Sequence, residues 1–284
     1  MTPIQKDSTY SLHNGVDVPI IALGTSKTSN NKAASCVMEA VEAGYTSIDT
    51  AAAYQNQRGV GQGIAQCALP REKLYITSKV WNASHGYEKT LKEFNSTLDE
   101  LGLDYIDQFL IHWPGPNKTF IPTWKALEKL YADGLVRVIG VCNFNVHHIE
   151  ELMQHAEVMP MVNQIELHPL YISEDVVRYC KEQQIQIEAW RPICHGAIDS
   201  YPLIAEIAAR YGKSSAQITL RWHLQRGFRP LPKTVNRSRM EENLGLFDFD
   251  LTDEEIRSIN SLNQGITQAG EDRNTFFRIA LPEI

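Results

Sequence analysis

Four side chains in three short segments could hand a proton to a carbonyl oxygen. They are Asp49 and Tyr54 in SIDTAAAYQNQ, Lys79 in YITSKVW and His112 in FLIHWPG. Asp49, Lys79 and His112 each close a short β-branched or apolar run, and Tyr54 follows Asp49 by five residues. A free phenol titrates near pH ~10, too high to exchange protons readily at neutrality. A lysine ammonium about 4 Å away contributes roughly 4 kcal/mol at an effective dielectric of about 20, or about three pKa units, which brings the expected Tyr54 value near neutrality. Asp49 would hold Lys79 charged and oriented, and His112 could donate a hydrogen bond to the substrate oxygen. Any one of these residues alone reads first as core or structural. The four together, closing neighbouring strands, read as catalytic.

Elements that could bring them together run along the whole chain. Strand-like runs fall at 18–24, 46–50, 74–80, 106–113, 136–143, 161–167, 185–190 and 228–232. Stretches with helical spacing lie between them, such as Trp124, Leu127, Leu130 and Tyr131 on one stripe. Runs such as VRVIGV do not alternate polar with apolar, as expected of parallel strands covered by helices. Eight β/α units predict a TIM barrel with an N-terminal β-hairpin, as one domain with a core over 10–265 and a tail over 266–284. In a barrel the strand-closing residues Asp49, Lys79, His112, Asn143, Gln164, Trp190 and Lys233 collect at one mouth. The competing open dinucleotide-binding sheet needs a glycine-rich first crossover. GVGQGIA (59–65) puts Ile64 where that fingerprint has its third glycine, so it reads as a helix start packed tightly on a neighbour.

Composition limits the other classes. A net charge of −7 argues against a general nucleic-acid or anionic-membrane binder. No apolar run is long enough to span a bilayer, and the N-terminus lacks a signal-like apolar stretch. The five cysteines are odd in number and carry no metal spacing, which fits thiols in a reducing cytoplasm. No metal site is expected, since His147 and His148 are adjacent without a third ligand on one face.

From about Leu12 to about Gly265 the chain resembles the aldo-keto reductases. LHNGVDVPIIALGT resembles that family's opening hairpin and first strand, and DTAAAYQNQ, SKVW and IHWP its catalytic segments. GVCNF, VNQIELHP, AWRP and LPKTVNRSRMEEN resemble its cofactor-holding segments. The resemblance implies a tetrad of Asp49, Tyr54, Lys79 and His112, and hydride transfer from NADPH to a small aldehyde or ketone. It implies that Asn143 and Gln164 grip the carboxamide, that Trp190 stacks on the nicotinamide, and that Gly24, Thr25 and Asp49 line the same cleft. Lys233, Thr234 and Arg239, with Val235 among them, would hold the 2′-phosphate at a helix N-terminus. Glu242 and Asn243 would contact the adenine, while Arg237 reads as a solvated helix face. The overall look is closest to bacterial 2,5-diketo-D-gluconate reductase-like members, and a monomer is expected.

The chain departs from that pattern at Ser26, where relatives often carry tryptophan, and at Gln57, Cys142 and Arg191. Cys142 is expected to touch the carboxamide, and Arg191 either to reach the diphosphate or to point into solvent. Cys142 and Cys194 are expected at the barrel mouth as simple thiols, with oxidation that blocks the cofactor as the sharper alternative. Ser26 and a short tail predict an open site for small dicarbonyls, simple aldehydes or keto-sugars, with Trp81, His112 and Trp113 as its remaining walls. Two other classes use the same residues: a Schiff-base aldolase working through Lys79, and a non-catalytic cofactor-binding scaffold.

Overall fold

The computed structural model describes residues 4–265, 267, 270, 273–276 and 281. Two short strands, β1 (Thr9–Ser11) and β2 (Asp17–Pro19), form an antiparallel hairpin. Eight parallel strands follow: β3 (Leu23–Gly24), β4 (Ser47–Asp49), β5 (Tyr75–Val80), β6 (Ile106–Ile111), β7 (Val136–Cys142), β8 (Val162–Glu166), β9 (Gln186–Trp190) and β10 (Arg229–Pro230). They are ordered in space as in sequence, from β3 through to β10. A parallel bridge from Gly24 to Lys233 and a bond from Gly24 N–H to Pro232 O (3.0 Å) join the two ends, so the sheet closes into a (β/α)8 barrel. Gly24 eases the close approach at that seam, because a Cβ there would stand 3.1 Å from the Leu231 carbonyl oxygen.

Helices return the chain between strands: α1 (Asn30–Ala43), α2 (Gln57–Gln66), α3 (Tyr87–Leu101), α4 (Phe120–Ala132), α5 (Val146–Met153) and α6 (Glu174–Glu182). Two helices, α7 (Pro202–Tyr211) and α8 (Ser215–Gln225), connect β9 to β10, and α9 (Arg237–Leu244) and α10 (Asp253–Asn260) follow the last strand. Strands β5, β6 and β8 are buried at every residue, as expected of parallel strands covered by helices, and they carry buried polar side chains such as Lys79, Gln108 and Gln164 among their apolar ones. The glycines of GVGQG serve packing. A Cβ at Gly59, Gly61 or Gly63 would meet Asn30 O, Leu101 O or Ala34 O at 2.2, 2.2 and 2.7 Å, so α2 lies directly on its neighbours. Among the described residues no helix is long and apolar enough to cross a membrane.

Two strand expectations need correction. The run at 18–24 is split, its first residues belonging to the hairpin and its last to the barrel. The eighth run shortens to Arg229–Pro230 because Pro230 and Pro232 have no N–H to give to a ladder. The hairpin covers the N-terminal end of the barrel: Arg229 Nε donates to Pro19 O (2.6 Å) and Asn14 Nδ2 to Arg137 O (3.1 Å). The opposite end stays open, which is where catalytic residues of such barrels gather.

Candidate active site

At the open end, Asp49 closes β4 and Lys79 stands one residue before the end of β5. Both are buried, and Lys79 Nζ donates to Asp49 Oδ1 (2.6 Å) and to Thr50 O (2.8 Å). The single 3-10 turn Ala52–Tyr54 after β4 carries the phenol back over this pair, with Lys79 Nζ donating to Tyr54 Oη at 3.4 Å. His112 follows β6 directly, its ring edge-on to Tyr54 at 5.7 Å and to Trp81 at 5.1 Å. The four expected catalytic side chains therefore meet at one point.

Burial sets their charges. For Lys79, burial favours the neutral amine, but the Asp49 carboxylate beside it wins and moves the pKa up, so the ammonium is held. Burial also raises the Asp49 carboxyl, against the pull of Lys79 and the Gln164 amide. His112 is pushed well below the usual imidazole range by burial, then by Lys79 and His85, and is neutral at physiological pH. Tyr54 corrects the sequence expectation. Burial of the phenol outweighs the Lys79 charge, and its pKa is pushed up to about 12 instead of down toward neutrality. The phenol is thus a fully protonated donor whose conjugate base a held cation stabilises.

A cleft of about 820 Å³ runs from this point along the barrel mouth. Its near end is lined by Tyr54, His112, Trp81, Trp113 and Ser26, the expected substrate wall. Asn143, at φ +63°, turns its side chain back: Nδ2 donates to His112 O (3.1 Å) and Oδ1 accepts from Trp190 Nε1 (3.0 Å). Gln164 Nε2 donates to Asp49 Oδ2 (2.9 Å) and to Glu188 Oε2 (2.8 Å). Gly24, Asp49, Cys142, Asn143, Gln164 and Trp190 all line the middle of the cleft. Arg191 also lines it, with its guanidinium 5.6 Å above the Trp190 ring.

The far end is made by Lys233, Thr234, Val235, Arg239, Glu242 and Asn243. Lys233 and Arg239 are exposed, and among the described residues neither pairs with a carboxylate. Arg237, by contrast, is held by Glu241 and Glu42 at 2.7 Å each. The Asn236 side chain accepts from Arg239 N–H and so starts α9 beside the two free cations. This donor set fits a nicotinamide dinucleotide with a 2′-phosphate: unpaired cations and a helix start at one end, amide groups at the other.

Two sequence expectations are placed elsewhere. Thr25 lies beneath the cleft, its hydroxyl donating to Asp49 O (2.9 Å), and does not line it. Gln57, counted with the pocket departures, is a packing residue of α2 that accepts from Ser78 Oγ (2.6 Å) and donates to Glu100 Oε2 (3.0 Å). The thiols of Cys142 and Cys194 are both raised by burial, the second to about 12, which leaves little thiolate for oxidation. Much of the tail expected at 266–284 is outside the described residues, but what is described reaches the site. Phe276 packs on Trp113 (4.2 Å between centroids) and lines the cleft, so the tail narrows the mouth that sequence reasoning left open. Lys27 and His195 line it as well, and neither stood out in the sequence.

A parallel barrel whose mouth holds a buried Asp–Lys pair under a phenol and a neutral imidazole, beside a cation-ended dinucleotide cleft, is the architecture of a nicotinamide-dependent carbonyl reductase. Residues 20–264 match the profile of the Aldo/keto reductase family, and the chain belongs to that family. It is 49% identical to a glyoxal reductase of Bacillus subtilis over 92% of this chain and 95% of that one. An aldo-keto reductase from a Medee basin deep-sea metagenome library superposes with a TM-score of 0.92 at 41% identity, covering 95% of this chain and all of that one. A Bombyx mori aldo-keto reductase in complex with NADP superposes at 0.86 with 36% identity, covering 93% and 95%. The protein is an NADP-dependent oxidoreductase that reduces carbonyl groups.

Proposed function

We propose that Tyr54 is the proton donor of this reduction and that short aldehydes and dicarbonyls are its substrates. The observation that carries the assignment is the Tyr54 Oη to Lys79 Nζ contact of 3.4 Å above the Lys79–Asp49 pair of 2.6 Å. When bound, the reduced nicotinamide supplies a hydride. Tyr54 Oη gives its proton to the carbonyl oxygen, and the phenolate left behind faces a cation already in place, so no solvent has to reorganise. Asp49 keeps Lys79 charged through that step. His112, neutral, offers an N–H to the same oxygen and with Trp81, Trp113 and Phe276 keeps water from it. Gln164 and Asn143 would hold the carboxamide, Trp190 the ring, and Lys233, Thr234 and Arg239 the 2′-phosphate.

Substrate size follows from the wall. Ser26 contributes little bulk, while Trp81, Trp113 and Phe276 crowd the space in front of Tyr54. A short carbonyl compound suits that space, and the Bacillus subtilis relative named for glyoxal supports the same choice. Keto-sugars are the larger limit of this reading. The contacts of Lys79 oppose a Schiff-base role, because an ammonium held by Asp49 and Thr50 O is not a nucleophile. The free state of all five cysteines supports work in a reducing cytoplasm, and the family resemblance a monomer.

The test is Tyr54→Phe, assayed for NADPH consumption with glyoxal and for NADPH binding by fluorescence. Loss of a general acid costs about 10²–10⁴-fold in turnover, and binding should stay within about twofold. Retention of more than a tenth of wild-type kcat would remove Tyr54 from the role.

A further inference from the structure

Beneath the catalytic pair the barrel interior holds a second polar layer that no step above uses. Glu188 on β9 and Arg229 on β10 are both fully buried and are direct partners in the β9–β10 register. Arg229 Nη1 bonds Glu188 Oε1, and Arg229 Nη2 also donates to Ser47 Oγ (2.5 Å). Gln108 Nε2 donates to both Glu188 oxygens (3.1 and 3.0 Å), and its own amide oxygen accepts from Tyr75 Oη (2.8 Å). The remaining donor to Glu188 is Gln164, through the same nitrogen that reaches Asp49.

That shared nitrogen fixes which way the Gln164 amide faces. Carboxylates only accept, so the amide N–H₂ must lie between Asp49 and Glu188, and both of its hydrogens are spent there. The Gln164 amide oxygen is the group left over. No described residue donates to it, and Gln164 lines the cleft. Asp49 alone would hold one N–H and leave the other without an acceptor, so the direction of the amide would rest on a single bond. With Glu188 at 2.8 Å as the second acceptor, turning it would set an oxygen against two carboxylates.

We propose that Glu188 is a positioning residue: it locks the Gln164 amide so that only an acceptor faces the nicotinamide end of the cleft, and the site selects a ring bearing an N–H donor. This deepens the cofactor reading above and rests on Gln164 touching the carboxamide. Arg229 decides how the lock responds to mutation. In Glu188→Gln the amide oxygen of residue 188 is claimed by the guanidinium, so its N–H₂ takes the place that faces Gln164. Two donors then oppose each other, and Gln164 loses its fixed direction. In Arg229→Gln the ion pair is gone, but Glu188 still accepts from Gln164 and Gln108.

The experiment compares binding of NADP⁺ with that of its 3-acetylpyridine analogue, which replaces the carboxamide N–H₂ by a methyl group. Affinities come from tryptophan fluorescence titration of wild type, Glu188→Gln and Arg229→Gln, with circular dichroism confirming the fold. Wild type should prefer NADP⁺ by about tenfold, the worth of one buried hydrogen bond. Glu188→Gln should bring the ratio to within about twofold of unity, and Arg229→Gln should keep it, because the lock needs Glu188 and not the pair. A full preference in Glu188→Gln overturns the proposal. So does an equal loss in both variants, which would mark the layer as structural only. A wild type that does not discriminate overturns the Gln164–carboxamide contact itself, and the lock with it.

Discussion

Removing the Lys79 charge should slow the chemical step about a hundredfold while leaving NADPH binding almost untouched. Lys79 Nζ stands 3.4 Å from Tyr54 Oη, and the residue is fully buried. At an effective dielectric of about 20 a unit charge at that distance stabilises the phenolate by about 5 kcal/mol, or three to four pKa units. The Tyr54 pKa of about 12 already includes this help, so in Lys79→Met the phenol becomes a still weaker acid. If about half the phenolate charge has developed at the transition state, the loss is about 2–3 kcal/mol, which corresponds to roughly a hundredfold in kcat. Lys79 does not line the cleft, so the affinity for NADPH should stay within about twofold. The assay is NADPH consumption at saturating glyoxal, with NADPH affinity read by fluorescence. Because Asp49 is left without its cation, the double variant Lys79→Met/Asp49→Asn serves as the control without a buried unpaired carboxylate. Folded Lys79→Met that keeps more than about a third of wild-type kcat would refute this role, as would NADPH affinity and kcat falling by the same factor.

Two further predictions concern the cofactor's far end and acid stability. Lys233→Ala and Arg239→Ala should each weaken NADPH binding by about tenfold or more, the worth of a charge-assisted hydrogen bond, and leave NADH binding unchanged. Isothermal titration with both cofactors checks this, and an equal loss for the two would move these cations away from the 2′-phosphate. Burial lowers the His85 pKa from 6.5 to about 4, so the folded protein refuses a proton that the unfolded chain takes up. Its contribution to stability is therefore complete above pH 6.5 and is lost as the pH falls from 6.5 toward 4. Urea unfolding across that window should show a slope near 1.4 kcal/mol per pH unit from this residue. His85→Gln should lower the slope by that amount, and an unaltered slope would show that other groups carry it.

What was legible in the sequence was whatever sits at the end of a strand. Asp49, Lys79, His112, Asn143 and Trp190 each follow or close a buried apolar run, and chain direction alone brings parallel strand ends to one face. The tetrad and most of the cleft therefore followed from pattern and family resemblance. The Tyr54 pKa did not, because a sequence shows which charge stands nearby but not how much water has left. Gln57 and Thr25 were misplaced for a related reason: each lies in a segment that carries a cleft residue, Tyr54 or Gly24, yet its polar atoms are taken by Ser78 and Glu100 or by the Asp49 carbonyl. Phe276 was missed because where a tail returns is set by long-range contacts such as its packing on Trp113, for which local spacing carries no signal.

Glu188 and Arg229 show the same limit from inside the barrel. In IQIEAW and FRPLP each is one charged residue within a strand run, which local pattern rules count against burial. Only the register that sets Arg229 beside Glu188 makes both burials tolerable, and register is a property of the closed sheet. A buried ion pair is weak support for stability, since apolar side chains of similar volume often do as well or better. An apolar layer at this depth would pack under β8, but it would offer Gln164 no acceptor below the cleft. The polar layer is thus better explained by the direction it imposes on one amide at the site than by the energy it adds to the fold.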